Sequence, residues 1–145
     1  MTDVAFHFNA PDRVAYACRF LRKAVGLGAR VLVTGSPATL SQLDAALWSL
    51  SPVDFIPHCS LADGARLVAA SPVVLSDSIQ SSAHRQVLLN LADLVPEGFE
   101  EFARVIEIVG SDDAGRQLAR NRWKFYTDRG YSITRHDLIT ASSSS

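Results

Sequence analysis

The sequence lacks the residue sets that usually build metal centres and disulfide frameworks. Its 145 residues include only two cysteines, Cys18 and Cys59, which form neither a framework nor a metal-ligand pair. We predict that both are free thiols in a reducing compartment. No two histidines lie in a metal-ligand spacing, the four being His7, His58, His84 and His136. The sequence therefore predicts no metal site.

Long apolar runs and an excess of charge of one sign are also missing. No run approaches the roughly 18 apolar residues of a membrane-spanning helix, and the N-terminus has no signal-peptide core. The formal net charge of −1 argues against a broad nucleic-acid surface, for which a strongly basic domain is expected. With 48% hydrophobic residues, we expect a cytoplasmic protein with a single domain over residues 1–139 and a flexible polar tail over 140–145.

Motifs of catalysis and of nucleotide binding are absent as well. No serine or cysteine lies in a recognisable nucleophile motif. The turn Gly35-Ser36-Pro37 joins a strand to a helix, but it has neither the three glycines of the dinucleotide motif nor the Gly-Lys-Ser/Thr of the P-loop. Pro37 also lacks an N–H group that a phosphate would use. We predict a non-enzymatic protein without a cofactor; an enzyme that uses a nucleotide at the Ser36 turn is a less favoured alternative.

What the sequence does contain is a regular alternation of strand and helix patterns. β-branched and aromatic residues predict strands at 4–8, 30–34, 72–76, 86–91 and 104–109. Helices are predicted after the caps Asp12, Ser36 and Ser111, with a short helix at 99–103 and an extended segment from Tyr131. Residues 51–58 are predicted to be a partly extended loop. The alternation favours an α/β fold, a three-layer sandwich with a mostly parallel central sheet that resembles nucleotide-binding folds.

The last long helix concentrates positive charge. Residues 116–131 carry five cations and one acid, a net charge of +4, so the rest of the chain sums to −5. At about 3.6 residues per turn, one narrow arc of the helix holds Arg116, Arg120, Trp123, Lys124 and Thr127. Leu118 and Phe125 point nearly opposite and are predicted to face the core. The pattern favours an anionic ligand with an apolar group attached.

Two kinds of ligand suit this face better than plain solvation does. The cations are nearly all of one sign and have no acidic partners four residues away, which is unusual for a solvated charge run. Cations beside an aromatic ring suit an acidic peptide or a carboxylate. Single-stranded nucleic acid is the alternative, with phosphates on the cations and a base stacked on Trp123. The small patch and the acidic remainder of the chain favour the peptide.

Bulky apolar residues also gather at the end of the second helix and in the loop after it: Trp48, Phe55, Ile56 and Pro57. A satellite core beneath the loop is the simpler interpretation. An aromatic anchor for another protein is the sharper alternative.

Three blocks of sequence carry a family resemblance. They are LDAALW at 43–48 with FIPH at 55–58, RVIEIV at 104–109, and QLARNRWKFY at 117–126 followed by Gly130-Tyr131. In this order and at these separations, they resemble the chi subunit of bacterial DNA polymerase III, part of the clamp-loader assembly. The resemblance covers residues 3 to 138 and implies a non-enzymatic adaptor with an α/β fold that binds no nucleotide.

The family resemblance also implies partners and site residues. Family members bind the acidic C-terminal tail of single-stranded DNA-binding protein, which ends in Pro-Phe. By matching positions, the tail's acids and terminal carboxylate would contact Arg116, Arg120 and Lys124, and its phenylalanine would lie against Trp123. Arg116 stands where a lysine is common and Trp123 where a tyrosine is common, and both keep the chemical type, although arginine and lysine are not interchangeable at a bidentate site.

The second implied partner is the psi subunit, which tethers the chi subunit to the clamp loader. Trp48 and Phe55 match the positions associated with that contact, and the resemblance thus favours the aromatic-anchor interpretation. DNA would be contacted only indirectly.

Overall fold

Strands and helices alternate along the chain, as the sequence predicts. The structure, a computed structural model, describes residues 2–49, 58–60, 71–77 and 85–138. The strands are β1 (Asp3–Ala10), β2 (Val31–Thr34), β3 (His58–Ser60), β4 (Val73–Leu75), β5 (Val87–Asn90), β6 (Arg104–Gly110) and β7 (Ile133–Asp137). The helices are α1 (Arg13–Gly26), α2 (Pro37–Trp48) and α3 (Asp113–Asp128), with a 3₁₀ turn at Phe99–Glu101.

The described strands form one sheet in the order β3-β4-β2-β5-β6-β1-β7, and every pairing between them is parallel. Successive side chains of each strand serve opposite faces. Val31 and Val33 pack with α1 and α2, whereas Leu32 packs on the side of α3. Helices therefore cover both faces, and the predicted three-layer α/β sandwich with a mostly parallel sheet is confirmed.

Short polar side chains begin the helices. Asp12 accepts a hydrogen bond from the Ala15 N–H, and Ser36 accepts one from the Thr39 N–H, as the caps predicted from sequence would. The predicted cap of α3 is wrong by one residue, because Asp112 rather than Ser111 accepts from the Gly115 N–H. Its carboxylate suits the positive end of the helix dipole better than a hydroxyl does.

Two further local predictions differ from the structure in detail. Residues 51–58 were predicted to be a partly extended loop, and His58, the last of them, begins the short edge strand β3, which pairs with β4. The predicted core stripe of α3 is also displaced. Leu118 and Phe125 are half-buried, and of the two Phe125 packs against the core, whereas the fully buried residues of α3 are Ala119, Arg122 and Tyr126. We attribute this orientation of α3 to the buried carboxylate of Glu107 in the sheet, which is described below.

Several expectations concern residues at the margins of what the structure describes. Cys18 is a free and buried thiol, whereas the side chain of Cys59 lies outside the described part. Phe55 and the tail 140–145 lie outside it too. None of the helices in the described ranges combines the length and apolar character that crossing a bilayer requires.

Candidate functional site

A groove lies where α3 packs over the edge of the sheet formed by β1 and β7. Its volume is about 510 Å³, within the usual range for ligand sites. The lining comes from β1, the end of β6, α3 and β7: Phe6, Phe8, Asn9, Val109, Gly110, Arg116, Ala119, Arg120, Trp123 and Arg135. Three of the four residues predicted to bind the tail are therefore brought together here.

The apolar part of the groove follows from strand alternation in β1. Val4, Phe6 and Phe8 face α3, whereas Ala5 belongs to the core on the other face of the sheet. The Trp123 indole is half-buried and packs against Phe6, with ring centroids 5.1 Å apart and an angle of 58° between the rings. One part of the indole is thus fixed by packing, and the remainder forms a wall of the groove.

The charged part of the groove carries two arginines of α3. Arg116 and Arg120 are exposed, and among the described residues no carboxylate lies within ion-pair distance of either. The Arg116 Nη2 donates a 2.8 Å hydrogen bond to the Asn9 Oδ1, which leaves the guanidinium its charge and its other donors. The groove can therefore offer forked N–H donors to an anion beside an aromatic wall.

Lys124 differs from the other predicted site residues. It is exposed on the same helix, yet it is not part of the lining of the groove. Helical periodicity correctly places Lys124 next to Arg120 on α3. The groove, however, lies between α3 and the strands β1 and β7, on the side of the helix where Trp123 lies. Lys124 can reach only a ligand that extends beyond the groove.

Arg135 lines the groove, and the sequence interpretation did not single it out. It is exposed on β7, and its guanidinium carbon lies 5.4 Å from the Phe8 ring centroid and 5.7 Å from that of Trp123. The alternation that begins at Tyr131 and Ile133 continues to Arg135, a signal that was available. The pairing that sets Arg135 opposite Phe6 on β1 was not, because the sequence does not give strand order.

Asn9 connects the walls of the groove. Its backbone has a φ of 64°, at an irregularity in the β1–β6 pairing between His7 and Ala10. Asparagine is one of the few residues other than glycine that adopt this conformation readily. Its amide donates to the Asp137 Oδ1 at 3.0 Å while its oxygen accepts from Arg116. The side chain therefore links α3 to β7 through β1.

One cation that the sequence analysis counted in the basic cluster does not belong to the surface. Arg122 is buried, and its Nε donates to the Glu107 Oε1 at 2.9 Å. Glu107 is fully buried and also accepts hydrogen bonds from the Asn90 amide and the Tyr126 hydroxyl. The +4 charge of residues 116–131 therefore overstates what a ligand meets.

The surroundings of this buried network shift the pKa values of two of its side chains. Burial raises the pKa of Glu107, against the charge of Arg122 and the hydrogen bonds that the carboxylate accepts. Burial and the nearby carboxylate raise the pKa of Tyr126, so its hydroxyl keeps the proton that it donates. We interpret this network as structural, because it lies behind α3, away from the groove.

Arg129 is also directed away from the groove. Its guanidinium carbon lies 3.6 Å from the centroid of the Phe125 ring. It lines a separate depression with Phe99, Phe125 and Tyr131.

The second predicted contact surface lies near the opposite edge of the sheet. Trp48, the last residue of α2, is 62% exposed, and its ring lies 5.2 Å from that of His58 on β3. The His58 Nε2 lies 2.9 Å from the Asp44 Oδ1. Trp48 is thus largely exposed, whereas Phe55 and the rest of the loop lie outside the described residues, so the choice between a satellite core and an aromatic anchor stays a prediction.

The Ser36 turn is an ordinary capped turn. Ser36 accepts from the Thr39 N–H, and a Cβ added at Gly35 would lie 3.2 Å from the Cβ of Leu91. The backbone of Gly35 is thus packed closely against Leu91, and a side chain at this position would need Leu91 to move. Among the described residues, no group of three or more acidic, histidine or cysteine side chains is arranged to hold a metal ion.

Comparisons with known proteins agree with the fold and the blocks of sequence. Residues 1–134 match the family described as DNA polymerase III chi subunit, HolC. The DNA polymerase III subunit chi of Pseudomonas aeruginosa is 39% identical over 143 residues, which cover 95% of this chain and 98% of that protein.

Two further relatives carry the same name. The protein of Escherichia coli is 31% identical over 108 residues, or 73% of this chain and 72% of the relative. That of Haemophilus influenzae is 27% identical over 120 residues, or 81% of this chain and 82% of the relative. The chain therefore belongs to the DNA polymerase III chi subunit family, a family of DNA replication subunits.

Proposed function

We propose that the chain is a non-catalytic adaptor of the DNA polymerase III holoenzyme. It binds the acidic C-terminal tail of single-stranded DNA-binding protein and connects that protein, through the psi subunit, to the clamp loader. It acts in the cytoplasm without a cofactor and contacts DNA only indirectly. Membership of the chi family supports the role in replication, and the groove supports the mode of binding.

The observation that carries the proposal is the combination of Arg116 and Arg120 with the Trp123 wall in one groove. A tail that ends in Pro-Phe presents a terminal carboxylate next to an aromatic side chain. The guanidinium forks suit the carboxylate, and the rings of Trp123, Phe6 and Phe8 suit the phenylalanine. An acidic tail longer than the groove extends toward Lys124, which adds a screened attraction from outside.

Arg120→Ala tests this mode of binding. We expect a loss on the order of 2 kcal/mol, about 30-fold in affinity, because a charge-assisted contact is removed. Fluorescence anisotropy with a labelled acidic peptide ending in Pro-Phe measures it. Arg129→Ala is the matched control, since it removes the same charge from outside the groove and should leave affinity unchanged. Equal affinity of wild type and Arg120→Ala would remove Arg120 from the site.

The psi contact is tested separately with Trp48→Ala. The side chain is exposed near the far edge of the sheet, so we expect this variant to lose psi binding in a pull-down while its affinity for the tail peptide stays unchanged. Phe55→Ala should behave alike. Loss of both activities together would mean that these residues support the fold rather than a partner.

Direct binding of single-stranded nucleic acid is less well supported. Proteins that bind single strands follow the phosphate backbone along an extended positive groove, but here the cationic patch is small and the chain outside residues 116–131 carries a net charge of −5. Anisotropy with a labelled oligonucleotide alone separates the two functions. Oligonucleotide binding that Trp123→Ala abolishes, together with no binding of the peptide, would favour the nucleic-acid function.

A further inference from the structure

We infer that Arg135 is a binding residue for the acidic ligand, on the wall of the groove opposite α3, and that it makes the site selective for chains with an anionic group on each side of an apolar side chain. This inference rests on the proposed function. It adds a residue from β7, outside the helix to which the family resemblance assigned the tail site.

The position of Arg135 follows from the parallel pairing of β7 with β1. Phe6 is paired with Arg135, and paired residues on adjacent parallel strands direct their side chains to the same face. Phe6 faces α3, so Arg135 lies on the face of the sheet that α3 covers. Ile133, two residues earlier, packs in the core beneath α3, which fixes the same alternation independently.

The contacts of Arg135 hold its guanidinium without neutralising it. The group lies over the rings of Phe8 and Trp123, at 5.4 Å and 5.7 Å from their centroids. A cation over an aromatic face keeps its charge and its N–H donors. In the described part of the chain no carboxylate forms an ion pair with Arg135, although Asp137 follows on the same strand and accepts the Asn9 amide.

The groove is therefore positive on both sides of an aromatic floor. Arg116 and Arg120 extend from α3, Arg135 extends from β7, and the rings of Phe8 and Trp123 lie in the same groove. A single carboxylate next to an apolar side chain would use the α3 side alone. A chain with a terminal carboxylate after an apolar end, and acidic side chains before that end, would use both.

The affinity of an acidic peptide for Arg135 variants tests the inference. We expect Arg135→Ala to bind a labelled acidic peptide ending in Pro-Phe about tenfold more weakly, and Arg135→Lys to fall between wild type and Arg135→Ala, because lysine keeps the charge but loses the planar fork. Arg135→Ala should also show a shallower dependence of affinity on salt concentration. Arg129→Ala is the control for lost charge, and circular dichroism of each variant checks the fold.

A second peptide with neutral residues in place of its acids, but with the same Pro-Phe end, tests the two-sided arrangement. For this peptide the effect of Arg135→Ala should shrink toward zero while that of Arg120→Ala persists. Full affinity of Arg135→Ala for the acidic peptide, with Arg120→Ala weakened, would overturn this inference and leave the proposed function in place. No binding of either peptide by the wild-type chain would overturn both.

Discussion

The two faces of α3 use arginine side chains for opposite purposes. On the inner face, Arg122 is buried and paired with Glu107, which is fully buried as well. On the outer face, Arg116 and Arg120 are exposed, with no ion pair to a carboxylate in the described part of the chain. Arg122 lies only two residues from Arg120, about half a turn of the helix.

The contrast shows that a neighbouring strand decides which arginines a ligand can reach. Strand alternation in β6 directs Glu107, between Val105 and Val109, toward α3. A buried carboxylate needs a partner, and Arg122 supplies it from the helix above. The remaining arginines are left with charge that the fold does not neutralise, which suits a site for an anionic partner.

The largest expected effect on stability comes from removing the buried ion pair on the inner face of α3. Arg122→Met should lower the free energy of unfolding by about 3–5 kcal/mol, because it leaves Glu107 as an uncompensated buried charge. Urea denaturation followed by circular dichroism measures this. The double variant Glu107→Gln/Arg122→Met should recover part of the loss, since it removes both charges. Unchanged stability of Arg122→Met would mean that the pair contributes nothing to the fold.

Sequence patterns predicted the layered fold because strand alternation, caps and apolar runs are local signals. The orientation of α3 was harder to predict, since Leu118 and Phe125 are the more apolar residues, yet both are only half-buried and the fully buried residues are Ala119, Arg122 and Tyr126. The deciding residue was Glu107, a lone carboxylate within an otherwise apolar strand. Its need for a buried donor could have pointed to an arginine on the following helix, but which of several arginines depends on how the helix is seated.

A smaller effect is expected from Tyr126, another member of the buried network. Tyr126→Phe removes only the hydroxyl that donates to the Glu107 Oε2 at 2.8 Å. We expect a loss of about 1.5–3 kcal/mol in the free energy of unfolding, the range for a hydrogen bond to a charged group. The same urea experiment measures it, and binding of the acidic peptide should not change. Weaker peptide binding with full stability would instead connect Tyr126 to the groove.

The candidate site divides in the same way between local and distant information. Helical periodicity was enough to place Arg116, Arg120 and Trp123 on one face. It could not show that Lys124 lies beyond the lining, or that Arg135 completes it, because both facts depend on β7 pairing with β1 at the edge of the sheet. Contacts across the sheet are set by strand order, which no single segment of sequence contains.

The smallest effects on stability are expected for substitutions on the outer face of α3, and they distinguish the two faces most clearly. Arg120→Ala and Arg116→Ala should change the free energy of unfolding by less than about 0.5 kcal/mol, as exposed substitutions usually do. Alanine favours the helix slightly, and losing one cation relieves repulsion within the cluster. The hydrogen bond from Arg116 to Asn9 is exposed and offsets little of this. Losses of stability comparable to that of Arg122→Met would show that Arg116 and Arg120 stabilise the fold. Their positive charge would then need no binding partner to explain it.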